Sequence, residues 1–331
     1  MRREDILDLL FNTPWHELRL RAAHVLESEK GFHVHVRGLV EFSSNCRRNC
    51  LYCGLRADNH RLQRYTLSRE RILEAAAAAA AAGADTIVLQ SGEYAVKPEW
   101  LARVIADIRS RSDLPVTLSV GEQPAAAYAL WKEAGAVRYL LKHETADAKL
   151  YAVLHPGHDL RQRIACLHTL ASLGYECGSG FMVGLPGQRP ESLADDILLA
   201  RRLRVAMCGV GPFIPQAHTP LGKSVGGSAA LTLRVMAVLR IALPWANIPA
   251  TTALATVDAA SGQRDGLLAG ANVLMPGFTP SDVREDYCIY DNKNRVDLAA
   301  ARQAIEGAGR RHALDMPHMA NAPAPEAAAR P

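Results

Sequence analysis

Short β-rich runs alternate with amphipathic helical stretches along most of the chain, and this alternation restricts the fold more than any other feature. Candidate strands are Gly38–Phe42, Thr86–Gln90, Val116–Val120, Val137–Lys142, Glu176–Met182, Gly209–Phe213, Ile248–Thr252 and Ala271–Leu274. Candidate helices fill the intervals at Arg69–Ala82, Glu99–Ser110, Ala125–Glu133, Asp159–Ser172, Glu191–Leu203, Leu231–Leu243 and Gly262–Ala269. Strands separated by helices pair in parallel, so the pattern predicts an α/β fold, a (β/α)8 TIM-type barrel. An open doubly wound sheet is the alternative. Two helices, near Arg3–Leu10 and Trp15–Ser28, precede the first strand. The expected division is an N-terminal helical extension over 1–37, the barrel over 38–312 and a disordered tail over 313–331. That tail is rich in Pro and Ala without a periodic apolar face. The alanine run at 75–82 needs no function, because alanine is the best helix former and Gly83 ends it.

The strands carry a second signal. In Val137-Arg-Tyr-Leu-Leu-Lys-His-Glu144 alternate residues share a face. Helices cover the outside of a barrel, so the apolar set Val137, Tyr139 and Leu141 should point outward. Arg138, Lys142 and Glu144 then point inward. Thr117 and Ser119 in the third strand, and Gln90 in the second, follow the same rule. A barrel interior is ordinarily packed with branched apolar side chains. Buried charge is costly unless it is paired or bound to a ligand. The interior is therefore expected to enclose a polar, partly anionic ligand. For Lys142 and Glu144 taken alone, a salt bridge at the barrel rim is the competing reading.

Chemistry concentrates in Cys46-Arg-Arg-Asn-Cys50-Leu-Tyr-Cys53-Gly. The other cysteines, Cys166, Cys177, Cys208 and Cys288, stand singly. A structural zinc site wants four ligands, usually as two separated pairs. A cubane iron–sulfur cluster also takes four cysteines. Three leave one iron open to an external molecule, which marks a reactive centre. Tyr52 and Gly54 suit a tight loop around such a cofactor. The odd cysteine count and uneven spacing predict a reducing, cytoplasmic setting. The net charge of +4 is mild, and without a basic, aromatic-rich stripe no nucleic-acid partner is expected. No membrane span and no signal peptide are expected, since apolar runs are short and charges crowd Arg2–Asp5.

Other motifs are weaker. Ser91-Gly92-Glu93 ends the second candidate strand, Glu144 the fourth, and Arg163 opens the helix after it. A guanidinium fork suits a carboxylate. Met182-Val-Gly184-Leu-Pro-Gly187 permits close backbone approach after the fifth strand, with Met182 or Leu185 available to an aromatic ring. Gly222-Lys223-Ser224 fails as a phosphate-binding loop because Ala217 stands at its first glycine position.

The cysteine spacing resembles the signature of the radical S-adenosylmethionine (SAM) superfamily. The match narrows when further segments are added. Cys46–Arg56, Thr86–Glu93, Arg138–Ala146, Met182–Gln188, Gly211–Pro215, Ile248–Thr252 and Gly270–Pro276 together resemble the HydE family, the radical SAM maturases of [FeFe]-hydrogenase. The resemblance implies a [4Fe–4S] cluster on Cys46, Cys50 and Cys53, with SAM on the open iron. It implies cofactor contacts at Tyr52, Gln90, Ser91, Gly92, Glu93, Ser119, Glu144, Arg163, Met182 and Leu185. Ser91–Glu93 would meet the SAM amino group, Glu144 the ribose and Arg163 the carboxylate. Substrate contacts are implied at Thr117, Arg138, Lys142, Thr251, Thr252, Tyr287 and Tyr290. Lys142 stands where the family usually has arginine, a point charge in place of a bidentate fork. Only Cys288 remains of C-terminal cysteines that hold a second cluster in some members, so no second cluster is expected. The implied activity is reductive cleavage of SAM to a 5′-deoxyadenosyl radical acting on a small organometallic cysteine–iron precursor. Implied partners are HydG-type and HydF-type maturases and an external one-electron reductant. Methylornithine synthase, biotin synthase and a non-catalytic cluster carrier are the competing functions.

Overall fold

The alanine-rich segment shows how local chemistry builds the frame. Ser68 accepts a hydrogen bond from Arg71 N–H and starts the helix Arg69–Ala81, which buries Ile72, Leu73, Ala76 and Ala79. Only small residues allow its contact with the neighbouring strand, where a Cβ on Gly38 would stand 2.5 Å from Ala79 Cβ. The computed structural model describes residues 1–94 and 96–313.

The strands are β1 (His33–Ser43), β2 (Thr86–Ser91), β3 (Val116–Ser119), β4 (Ala136–Leu140), β5 (Glu176–Val183), β6 (Met207–Pro212), β7 (Val273–Leu274) and β8 (Arg311–His312). All pairings are parallel, in the order β6-β5-β4-β3-β2-β1-β7, with β8 joined to the start of β1. Helices Pro98–Arg111, Ala125–Glu133, Leu160–Ser172, Pro190–Arg202 and Ala229–Ala242 follow β2 to β6 in turn. This is the predicted barrel architecture. β1 begins at His33, before the expected Gly38, and crosses the expected boundary at 37/38.

One expected strand is corrected. Ile248–Thr252 forms no regular strand; Thr252 already opens the helix Thr252–Val257. The segment still closes the ring through isolated bridges, Asn247 to Met207 and Pro249 to Val273. Pro249 lacks an N–H and cannot continue a ladder. Side chains substitute for it. Asn272 Oδ1 accepts from Ile248 N–H at 2.9 Å. The fully buried Arg240 donates to Gly270 O, Pro244 O, Ala246 O and Asn272 Oδ1.

The outward faces of the strands meet the helices. Tyr139 of β4 is fully buried between Tyr128 and Tyr175, with ring centroids 5.0 and 5.8 Å away in edge-on contact. The N-terminal helices Arg3–Phe11 and Trp15–Lys30 bury Ile6, Leu10, Leu18 and Ala22 in one of the two large core clusters. Arg234 ties them down by donating to Leu9 O, Leu10 O and Thr13 O. The expected disordered tail lies, apart from Ala313, outside the described residues. Among the described residues no helix is long and apolar enough to cross a membrane.

Candidate active site

The loop after β1 carries the three cysteines across the C-terminal ends of the strands. Backbone bonds fasten it at several points: Arg47 N–H to Glu93 O at 2.7 Å, Leu51 N–H to Leu154 O at 2.9 Å and Gly54 N–H to Ile289 O at 3.0 Å. Two glycines make this closeness tolerable. A Cβ on Gly92 would lie 2.3 Å from Asn45 O, and one on Gly54 would lie 2.0 Å from Cys288 O. Any side chain at either position would push the loop away.

Cys46, Cys50 and Cys53 line one cavity of about 370 Å³, within the usual range for a small-molecule site. Among the described residues no three His, Cys, Asp or Glu side chains converge on a single metal ion. Burial pushes all three thiols up, Cys50 to about 12. Free thiolates are therefore disfavoured there, and iron coordination would supply the compensating charge. The donor set fits a cluster with one open iron.

Of the residues expected at the cofactor, Tyr52, Gln90, Ser91, Gly92, Glu93, Ser119, Glu144, Arg163 and Met182 line this cavity. Leu185 does not; it is buried in a small apolar group with Leu154 and Phe213. Of the expected substrate contacts, Lys142, Thr251, Thr252, Tyr287 and Tyr290 line it too. Thr117 and Arg138 lie elsewhere, around a separate space of about 10 Å³ with Arg37, Glu176 and Asn247. Arg138 is engaged there, donating to Glu176 at 2.5 Å and to Thr86 Oγ1 at 3.3 Å. Arg138, Leu140, Lys142 and Glu144 line these two spaces, and Tyr139 and Leu141 reach the same linings, so the alternation of β4 shows most clearly in the Tyr139 ring, which packs between Tyr128 and Tyr175.

Lys142 Nζ lies 3.1 Å from Glu144 Oε2, so the salt bridge and the cavity wall are the same residues. Burial raises the Glu144 pKa, but Lys142, His155 and Arg163 outweigh it, and the net shift is downward. Glu144 is thus a buried anion at the rim. Its φ of 64° is in the left-handed region, which costs a residue with a side chain. β5 holds it there: Glu144 N–H donates to Gly180 O at 2.9 Å and Met182 N–H to Glu144 O at 3.2 Å.

Several residues were not read from the sequence. Arg48 and Glu122 join Glu93 and Arg163 in a buried charge cluster. Arg48 Nε donates to Glu93 Oε1 at 2.5 Å, Arg48 Nη2 lies 2.7 Å from Glu122 Oε2, and Glu122 N–H donates to Glu93 Oε2 at 2.9 Å. Arg163 Nε lies 2.8 Å from Glu122 Oε1 and donates to Tyr151 Oη at 3.2 Å. Burial opposes its charge, but Tyr151, Glu122 and Glu93 hold its pKa above the usual arginine value. Glu41 pairs with Lys293, whose ammonium sits 4.9 Å from the Tyr287 ring centroid. Both border the main cavity and a neighbouring one of about 240 Å³ under residues 284–296. No local motif marks Glu122, Glu41 or Lys293, and although Arg48 lies within the cysteine motif its partners come from distant loops.

Residues 40–200 match the radical SAM superfamily. The chain is 49% identical over 266 residues to the [FeFe] hydrogenase maturase subunit HydE of Thermotoga maritima, spanning 80% of this chain and 75% of that protein. It is 30% identical over 286 residues to 3-methylornithine synthase of Methanosarcina acetivorans, spanning 84% and 80%. The solved structure of methylornithine synthase PylB superposes with a TM-score of 0.82 at 25% identity, covering 94% of each chain. Identity at the first of these levels, over most of both proteins, makes this chain a member of the HydE family of radical SAM enzymes, which carry a [4Fe–4S] cluster and use S-adenosylmethionine.

Proposed function

We propose that the chain acts in [FeFe]-hydrogenase maturation, converting a small organometallic cysteine–iron precursor inside its barrel. The observation that carries this reading is the 49% identity to the Thermotoga HydE maturase over most of both chains. When bound, the reduced cluster and SAM supply a 5′-deoxyadenosyl radical, with methionine as the other product.

The chain's own residues bind, orient and shield. Cys46, Cys50 and Cys53 would hold the cluster, three ligands where four would close it. Ser91–Glu93 lie beside the cysteine loop, where Ser91 and Gly92 can meet the SAM amino group through their backbone. Glu144, ionised and fixed in position, accepts hydrogen bonds from ribose hydroxyls. Arg163 offers the remaining edge of its guanidinium to the carboxylate, and Met182 flanks the adenine. Tyr52, Gln90 and Ser119 complete the contacts. Deeper in the cavity, Lys142, Thr251, Thr252, Tyr287 and Tyr290 surround the precursor. Thr251 Oγ1 is buried without a hydrogen-bond partner, which suits a ligand acceptor. The enclosing cavity would exclude water and hold the precursor in one orientation. Thr117 and Arg138 would act at the far end of the barrel, outside the main cavity. The precursor would come from a HydG-type maturase and the product pass to a HydF-type scaffold, in the cytoplasm.

The similarity to methylornithine synthases supports a second reading, an amino-acid mutase acting on lysine. Anaerobic reconstitution separates the two. SAM cleavage stimulated by the product of a HydG-type enzyme, with maturation of apo-hydrogenase, supports the maturase. Stimulation by lysine with a methylornithine product overturns it. Cys46→Ala, Cys50→Ala and Cys53→Ala should each abolish SAM cleavage; retained cleavage in any of them would sink the mechanism.

A further inference from the structure

Arg48 belongs to the cysteine loop itself, between Cys46 and Cys50. Its guanidinium spans two anchors, Glu93 at the end of β2 and Glu122 after β3. Arg163 closes the group from the other side of Glu122. The side chains of Arg48, Glu93, Glu122 and Arg163 are 6%, 6%, 11% and 10% exposed. Two cations and two anions thus form a balanced unit with almost no contact with solvent. Arg47 also reaches Glu93, at 3.3 Å, but its side chain is 54% exposed and solvent screens it.

Charges this deeply buried act on their neighbours with little screening. The unit adjoins the cysteine loop directly: Arg48 lies within it, and Arg48, Glu93 and Arg163 line the same cavity as Cys46, Cys50 and Cys53. Charge and hydrogen bonding around an iron–sulfur cluster set its reduction potential, and groups behind the ligands orient them. We propose that Arg48 is a positioning residue which, with Glu122 as its counter-anchor, fixes the cysteine loop and sets the electrostatic potential at the cluster bound there. This rests on the reading of the loop as a cluster site. Reduction adds one electron from an external donor to the cluster. A buried cation behind the loop favours that electron and a buried anion opposes it. Arg48 and Glu122 therefore act in opposite directions, and their joint removal leaves Arg163 balanced against Glu93.

The test is a redox titration followed by electron paramagnetic resonance on the anaerobically reconstituted full chain without substrate. Arg48→Met, Glu122→Gln, the double variant and Arg48→Lys are compared with the parent. The expected results are a shift to more negative potential for Arg48→Met and to more positive potential for Glu122→Gln. The double variant should return close to the parent. Arg48→Lys, which keeps the charge but not the fork, should stay near the parent potential while its reduced-cluster spectrum changes. If Arg48→Met loses iron, Glu122→Gln carries the sign test alone. An unchanged or negative shift for Glu122→Gln, or an unchanged or positive shift for Arg48→Met, overturns the proposal. A parent chain that binds no four-iron cluster overturns the cluster reading as well, so the two failures are distinguishable.

Discussion

The Tyr52 hydroxyl donates to His155 Nε2 at 2.8 Å, which locks the imidazole in one tautomer beside the cysteine loop. The other ring nitrogen, Nδ1, lies 3.0 Å from Tyr151 O. A carbonyl only accepts, so Nδ1 carries the proton and Nε2 is the acceptor. Burial lowers the His155 pKa from 6.5 to about 4, against the opposing pull of Glu144 and Tyr151 O. Between these values the unfolded chain binds a proton that the folded chain refuses. Folding stability should therefore fall as pH drops from about 6.5 toward 4, by on the order of 3 kcal/mol. His155→Gln should flatten that slope. Urea midpoints of the cluster-free chain at pH 7 and pH 4.5 check this; an unchanged slope in the variant counts against it.

Gly92 lies against the backbone just before Cys46. An added Cβ would lie 2.3 Å from Asn45 O and 2.9 Å from Cys46 Cβ. Gly92→Ala should displace the first ligand and weaken cluster binding about 10-fold or more, in the range for lost support behind a metal ligand. Iron content after anaerobic reconstitution reads the effect, with circular dichroism showing an intact fold.

Lys142 is the close cation of Glu144, at 3.1 Å, and their side chains are 30% and 17% exposed. Lys142→Met should leave a buried carboxylate on a strained backbone, costing about 1–3 kcal/mol. Adding Glu144→Gln should recover part of the loss, because the uncompensated charge disappears. A double-mutant cycle on chemical unfolding midpoints measures the coupling. Additive losses would show that the pair contributes nothing as a pair.

Arg240 is a buried cation satisfied by three carbonyls and the Asn272 amide oxygen. Burial lowers its pKa to about 10, so it stays charged at neutral pH. Arg240→Met should strand these acceptors and loosen the bridged segment at 247–250. The expected cost is about 3 kcal/mol or more, since several buried neutral acceptors lose their donor at about 1–3 kcal/mol each. Hydrogen exchange at Ile248 and Asn272 should rise before that of β2 or β3; uniform protection would argue against a local closure role.

The barrel was legible because its signal is local and repeated. Period-two alternation set Tyr139 apart from Arg138, Lys142 and Glu144; in the fold the Tyr139 ring packs between Tyr128 and Tyr175, while the other three line the two spaces. The cysteine loop was legible because its ligands are close in sequence. Ile248–Thr252 was misread as a strand because its apolar, β-branched residues look like one. Pro249 already argues against a strand there, while only the fold reveals that Arg240 and Asn272 take over the missing ladder bonds.

Sequence alone determined the alternation of strands and helices, the three clustered thiols and several of the polar residues that line the cavity. Each depends on residues within a few positions of one another. Tertiary structure decided which polar groups share a cavity. It sent Thr117 and Arg138 to one space and Lys142, Thr251 and Tyr287 to another. It also assembled Arg48, Glu93, Glu122 and Arg163 from four separate segments. The physical reason is that low-dielectric pairing depends on distance in space, which periodicity along one strand does not encode.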